Sequence, residues 1–461
     1  MSVSQHEPRQ VLAALEQAVD SVYFLLSRSL HDELESNRWH YARRWARHFP
    51  VTLLEPSQVF RFTDAKPVPA IPNCEVLSIV RPLESADPLT GLIQAGQVLQ
   101  HMRERGHAKP LLWSYNPRLA GLYASVPAAG RVYHATENHF EFERLSDSFY
   151  REVEASVLLS DLVIAVSSGV ADGIRSRIPG ASIATITNGC DTGHYQPAGA
   201  ESARIVAERS RFARVASFAG TINERLDFDL IERAAAANSR TLLVFVGPVS
   251  PLTERDEEAW RRIVGLDNVL HLERMDAAEM AALYRSSDLG FIPYRHERFL
   301  VQSGFPLKTL EMAATGLPVV SSHMKPIAGL ASAIAVAADA GQFLDSFASV
   351  SRSTLADEER LELVEVAAAN DYDRKFEEVV ATAAGLLPPE RGVQTRLDDL
   401  LLEVGYESWS SGCVRIFNRF AAPPVVAFVN LYDRLAAALP KSSGRLVPTW
   451  FKDYVRSLRA E

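Results

Sequence analysis

The chain has 461 residues, 47% hydrophobic and 23% charged, with a net charge of −9. That length exceeds one ordinary core and predicts at least two domains. The acidic balance excludes a general nucleic-acid binder, whose footprint is basic, and three scattered cysteines (Cys74, Cys190, Cys413) form neither a disulfide framework nor a metal-site spacing and suit a reducing cytoplasm. The opening "MSVSQHEPRQVLAALEQAVD" has no basic region followed by an apolar run, so no secretory signal is expected. No window of about 18 uncharged apolar residues occurs, so no membrane span is expected either.

Short apolar runs alternate with helical patterns along most of the chain. "SVYFLLS" (21–27) reads as a buried strand, "NRWHYARRWARHF" (37–49) as a helix and "VTLLEP" (51–56) as the next strand. "EVLSIV", "PLLWSY", "GRVYHAT", "DLVIAVS" and "ASIATITNG" continue the series, with helical stretches at 92–105, 146–159 and 169–177. Uncharged strands alternating with helices predict a doubly wound parallel sheet. The rhythm breaks over 188–212, where Gly, Pro and Ala without a period read as a linker. A second series follows: "RVASFAG", "TLLVFVG", "NVLHLE", "DLGFIPY" and "LPVVSS". "RHERFLVQ" (295–302) looks disordered.

The expected organisation is an α/β protein of two doubly wound Rossmann-like domains facing a cleft, an N-terminal one over 1–195 and a second over 196–387. A mostly helical extension follows over 388–461. Residues 413–461 carry eight Lys or Arg against three Asp or Glu, and Trp450, Phe451 and Tyr454 are interleaved with Lys452, Arg456 and Arg459. That pattern fits an anionic membrane surface, or a helical layer packed across the domains with its charges solvated. The helix at 37–49 offers the same pair of readings: Arg38, Arg43, Arg44 and Arg47 could meet anionic headgroups, or Trp39 and Trp45 could simply pack on the sheet.

"GFPLKTLEMAATGLPVVSS" (304–322) carries the most chemistry. Pro306 suits a first helical turn, Leu307, Leu310 and Ala314 recur at core spacing, and Gly316 is placed to cap the helix. Lys308 and Glu311 fall one turn apart on the same face. Taken alone, they are an ordinary exposed pair, worth only about 0.3–0.5 kcal/mol.

In order, "SFAGTINERLDFDLI", "LVFVGP", "NVLHLERMDAAEMAALYRSSDLGFIPY" and "PLKTLEMAATGLPVVSS" resemble the donor-binding half of GT-B glycosyltransferases of the family 4-like group. The variant P-x-K-x-x-E is similar to the GumK-like xanthan glucuronosyltransferase group. "WSYNP", "RVYHATENH" and "DLVIAVSSGVADGI…ITNGCD" resemble the acceptor half, so the likeness covers roughly residues 20–385. It implies that a UDP- or GDP-sugar is the donor substrate and that no cofactor or metal is needed. Lys308 would meet the diphosphate, and Glu311 the ribose hydroxyls. The helix start (Gly304, Phe305, Pro306, Leu307, Thr309) would present N–H groups and the positive end of the dipole to phosphate. In the loop that Gly220 opens after the first strand, Thr221 stands where the family has an Arg, and Arg225 stands near its Lys. Tyr294 would line the sugar pocket and Arg274 the base edge. "DFD" (227–229) is not read as a metal-binding D-x-D, because it lies in a helical pattern.

Retaining members carry an E-x7-E motif whose first position is Ser303 here. The missing carboxylate favours an inverting transfer, which needs a base for the acceptor hydroxyl. Glu137, just beyond the strand of "RVYHAT", is the leading candidate, with His134 and His139 behind it. Glu141 and Glu143 read as solvated. The resemblance implies a glycan or lipid-linked saccharide acceptor, no nucleic-acid partner, and a cytoplasmic protein that is peripheral on the inner face of the membrane. A retaining transferase, an epimerase of similar fold and a catalytically degenerate nucleotide- or partner-binding module are the alternatives.

Overall fold

A computed structural model describes residues 8–29, 36–56, 64–80, 88–142 and 145–384. The expected C-terminal extension, with its basic and aromatic pattern, lies outside the described residues, as do Glu143 and Cys413. The described residues divide into two compact units, one of 8–164, 178–184 and 379–384 and the other of 165–177 and 185–378.

The first half begins α1 (Pro8–Ala18), β1 (Ser21–Leu25), α2 (Asn37–Trp45), β2 (Val51–Pro56), β3 (Lys66–Pro67) and β4 (Cys74–Ile79). It continues α3 (Pro88–Arg105), β5 (Pro110–Ser114), α4 (Ala120–Ser125), β6 (Gly130–Ala135), α5 (Asp147–Leu159), β7 (Leu162–Ala165), α6 (Ser168–Arg177) and β8 (Ile183–Thr185). Its eight strands lie in the order β3-β4-β2-β1-β5-β6-β7-β8. β4, β2, β1, β5 and β6 pair in parallel, and the two-residue β3 is an antiparallel edge. Every residue of β1 and β5 is buried, as covering both faces of a parallel sheet requires. The order reverses between β1 and β5, which opens a crevice at their carboxyl ends. There the Asn116 side chain donates to the Leu26 carbonyl (3.1 Å) and tethers the two strand exits.

The second half runs α7 (Ala203–Glu208), β9 (Arg214–Ala219), α8 (Phe228–Ala237), β10 (Thr241–Val246), α9 (Glu254–Val264), β11 (Val269–Leu272), α10 (Ala277–Ser286) and β12 (Leu289–Ile292). α11 (Arg298–Ser303), α12 (Leu307–Ala314), β13 (Val319–Ser321), β14 (Ile334–Val336), α13 (Ala340–Ser349), α14 (Asp357–Ala369) and α15 (Tyr372–Ala384) complete it. The six strands are ordered β11-β10-β9-β12-β13-β14 and pair in parallel throughout. The strands alternate with helices as the sequence predicts. The short strands β3 and β14 escape it, as do two helices: α7 inside the expected linker, and α11 inside the stretch that looks disordered in the sequence. Both helices are only six residues long, too short to show a period.

The winding reverses between β9 and β12, so the second crevice opens beyond their carboxyl ends. Gly220 and Gly247 follow β9 and β10 with φ of 143° and 135°. A Cβ on Gly247 would lie 2.4 Å from the Gly220 carbonyl oxygen. Two backbones meet there at a distance that no side chain permits.

Candidate functional site

α12 begins one residue later than the sequence suggests. Pro306 is its N-cap rather than part of its first turn, and offers no side-chain cap bond. The first-turn N–H groups of Leu307 and Lys308 have no acceptor within the helix. At the other end, Gly316 (φ 67°) and Leu317 donate to the Ala313 and Met312 carbonyls, the Schellman closure expected of Gly316. Leu310, Met312, Ala313 and Ala314 are buried, whereas Leu307, Lys308 and Glu311 are half-buried.

Lys308 reaches the crevice at the end of β9. Its Nζ donates to the Tyr294 hydroxyl (2.8 Å) and stands 4.2 Å from the Phe218 ring centroid. Gly220 lies so close that a Cβ there would be 2.7 Å from Nζ. Among the described residues Lys308 has no carboxylate partner. The Phe218 face and the Tyr294 hydroxyl hold the ammonium. Glu311 sits one turn on. Burial, then the Glu311 carboxylate, pushes both the Cys190 thiol and the Tyr284 hydroxyl up.

Arg225 lies in the loop after β9, its guanidinium 5.6 Å from the Phe299 ring centroid of α11. Asp227 caps α8 by accepting from Leu230 N–H, and Asp229 pairs with Arg255 (3.1 Å), so both acids of "DFD" have structural partners. Thr221 and Arg274 are exposed beyond β9 and β11. The Phe305 and Thr309 side chains are buried and Thr309 N–H donates to the Pro306 carbonyl (3.1 Å), which leaves the Phe305 N–H as the one donor these two have to offer a ligand. Gly304 closes α11 by donating its N–H to the Leu300 carbonyl. The structure thus brings Gly220, Tyr294 and Lys308 together. It adds Phe218 and Gly247, which the sequence reading did not single out; an aromatic residue ending a strand beside a Gly-rich turn was the available signal.

In the first unit, Glu137 is half-buried just beyond β6, and after burial its charge is what pushes the Tyr133 hydroxyl up. His139 lies in a short 3-10 turn with its ring edge against Phe149 (5.3 Å). His134 is buried, with its ring stacked 4.8 Å from Tyr115 and edge-on to Tyr41. Neither of its ring nitrogens has a hydrogen-bond partner. Burial, then Arg38, pushes its pKa down to about 3. α2 is an ordinary packed helix: Trp45 lies against Trp113, and Arg44 is buried and donates to the His40 carbonyl. Arg38 stands 5.2 Å from the Tyr115 ring centroid, which leaves Arg43 and Arg47 as the exposed charges.

His134 carries a measurable consequence. Its pKa is lower in the folded chain than in the unfolded one, so its stabilisation is complete above about pH 6.5 and is lost as pH falls towards 3. Going from about pH 7.5 to about pH 5 is expected to cost about 2 kcal/mol through this ring. Urea unfolding of the wild type and His134→Phe at both pH values checks this: the variant should lose that part of the acid sensitivity. Burial also lowers the pKa of His101 and His107, so a remainder of the same sign should persist.

Residues 213–352 match the family model for glycosyl transferases group 1. Over 110 residues the chain is 30% identical to a Bacillus subtilis (strain 168) protein named as the teichuronic acid biosynthesis glycosyltransferase TuaH. That match spans 24% of this chain and 27% of the relative. Among solved structures, the E. coli trehalose-6-phosphate protein bound with UDP-2-fluoro glucose superposes with a TM-score of 0.61 at 12% identity, over 80% of this chain and 100% of that one. HepE from Anabaena in complex with UDP and glucose gives 0.57 at 16% identity, over 80% and 100%. Sucrose-phosphate synthase from Thermosynechococcus elongatus gives 0.56 at 14%, over 84% and 99%. The fold is therefore that of the GT-B glycosyltransferases, two Rossmann-like domains in one chain. The family match falls on the half that carries Lys308. Among the described residues no helix is long and apolar enough to cross a membrane.

Proposed function

We propose that the chain is an inverting glycosyltransferase that moves a sugar from a nucleoside-diphosphate sugar to an acceptor hydroxyl. The observation that carries the reading is the Lys308 ammonium, held by Phe218 and Tyr294 beside Gly220, at the amino end of α12 and beyond the strands where the sheet order reverses. Structural relatives bound to UDP or UDP-glucose support it.

In this reading the acceptor oxygen attacks C1 while the bond from C1 to the phosphate oxygen breaks. The Glu137 carboxylate takes the acceptor's proton, and the electron pair departs on the diphosphate. Lys308, Arg225 and the Leu307 and Lys308 N–H groups meet that growing charge, so fixed donors assist the step where it is hardest. The reading assigns no metal or cofactor. Glu311 accepts from the ribose hydroxyls, with Tyr294 near the sugar and Arg274 near the base. Ser303, a hydroxyl where retaining members have a carboxylate, supports inversion. The acceptor is a glycan or lipid-linked saccharide for a cell-surface or exopolysaccharide product, met at the inner face of a membrane.

A thermal-shift screen of nucleotides and nucleotide sugars, followed by NMR of the product anomer, tests this. A ligand at about 100 times its Kd should stabilise the folded chain by about 2.7 kcal/mol. The expected outcome is a shift with UDP or GDP donors and an inverted product. Retention of configuration would overturn the inverting course. A shift without any transfer would mark the degenerate module that the missing carboxylate at Ser303 keeps open. No nucleotide shift would overturn the reading itself.

A further inference from the structure

The turn that leads into α12 is held from far away in sequence. Ser167 is buried, and its hydroxyl donates to the Ser303 carbonyl (2.9 Å). The buried Asn188 donates its side-chain N–H to the Phe305 carbonyl (2.9 Å). These donors lie 136 and 117 positions from their acceptors, within the same compact unit. Both come from the segments "AVSSG" and "TNG", which the sequence reading grouped with the acceptor half.

Each donor is itself fixed. Ser167 Oγ accepts from Val170 N–H (3.2 Å) at the start of α6, which leaves its own proton for Ser303. Close packing of α6 on α11 requires Gly169, where a Cβ would fall 1.9 Å from the Gln302 carbonyl oxygen. Asn188 lies on a segment stitched to the corner between α14 and α15. There Cys190 N–H donates to the Asn370 carbonyl (3.0 Å) and Thr192 N–H to the Asp371 carboxylate (3.1 Å).

The two carbonyls flank Gly304. A carbonyl oxygen turned towards an anion repels it, whereas one bonded into the protein interior cannot turn. With Gly304 N–H spent on Leu300 and Pro306 lacking an N–H, the free donors at this end are those of Phe305, Leu307 and Lys308. We propose that Ser167 and Asn188 are positioning residues that clamp the Ser303 and Phe305 carbonyls inward and so aim the α12 amino end at the diphosphate. This rests on the donor-site reading above. Both residues act through the turn and neither reacts.

The test is calorimetric binding of UDP and UMP to the full chain. Asn188→Ala should weaken UDP binding roughly tenfold and leave UMP, which lacks the second phosphate, much less affected. Ser167→Ala should act in the same direction, and Ser167→Thr, which keeps the hydroxyl, should restore UDP binding. The Ser167 pair carries the test if Asn188→Ala does not fold. Unchanged UDP affinity in the alanine variants would overturn the clamp and leave the donor site standing. Equal losses for UDP and UMP would also overturn it, since a merely structural role predicts them. A wild-type chain that binds neither UDP nor GDP would overturn the donor-site reading, and the clamp with it.

Discussion

Lys308→Ala is expected to bind UDP roughly 10- to 100-fold more weakly than the wild type, with transfer falling further than binding. Hydrogen bonds to a charged group contribute about 1.5–3 kcal/mol each, and tenfold in affinity corresponds to about 1.4 kcal/mol. The extra loss in kcat follows from timing: charge on the diphosphate grows as the C1–oxygen bond breaks, and removing one fixed donor from such a site typically costs about 10²–10³ in rate. Lys308→Arg should not restore the wild-type values. The Gly220 backbone already sits against Nζ, and a planar guanidinium is wider than an ammonium. Lys308→Met separates packing from charge, because it keeps an unbranched stem. Calorimetry and initial rates on these three chains check the prediction, and UDP affinity equal to the wild type in Lys308→Ala would move the donor elsewhere.

Glu137→Gln is expected to lower kcat by about 10²–10⁴, the usual contribution of a positioned base, with donor KM little changed. The amide keeps the size of the carboxylate but exchanges one acceptor oxygen for an N–H donor, and it cannot take a proton. The variant should also lose the limb of the pH–rate profile on which the wild type's base ionises. Steady-state kinetics across pH, with donor and acceptor varied separately, provide the readout. Full activity would remove Glu137 from the reaction. His134 is a poor substitute: it is buried, stacked on Tyr115 and kept neutral, with neither nitrogen bonded.

Local patterns carried most of the fold. Uncharged runs such as "SVYFLLS" and "TLLVFVG" became fully buried strands, because both faces of a parallel sheet are covered and a charged position would have no water to face. Gly316 closed α12 where a left-handed residue was expected. The six-residue α7 and α11 were illegible, since under two turns there is no period to detect. At the site, the Lys308–Glu311 spacing was visible, but the orientation of its neighbours was not. Phe305 and Thr309 share the motif with Lys308, yet their side chains point into the core. The ring beneath the ammonium, Phe218, comes from a strand 90 positions away, a distance that no local pattern spans. Ser167 and Asn188 were hidden for the same reason: a hydrogen bond across more than a hundred residues leaves no mark on the residues between.

α12 is an eight-residue rod fixed at both ends, by the clamped turn before Leu307 and by the Schellman closure at Gly316. In the proposed reading its grip on phosphate uses backbone and one ammonium, neither of which distinguishes one nucleoside or sugar from another. Arg274, by contrast, is exposed beyond β11, outside that rod and away from the residues that hold the ammonium. On that reading, selection can exchange what is carried by rewriting the loop beyond β11, while the handle common to all such donors stays untouched.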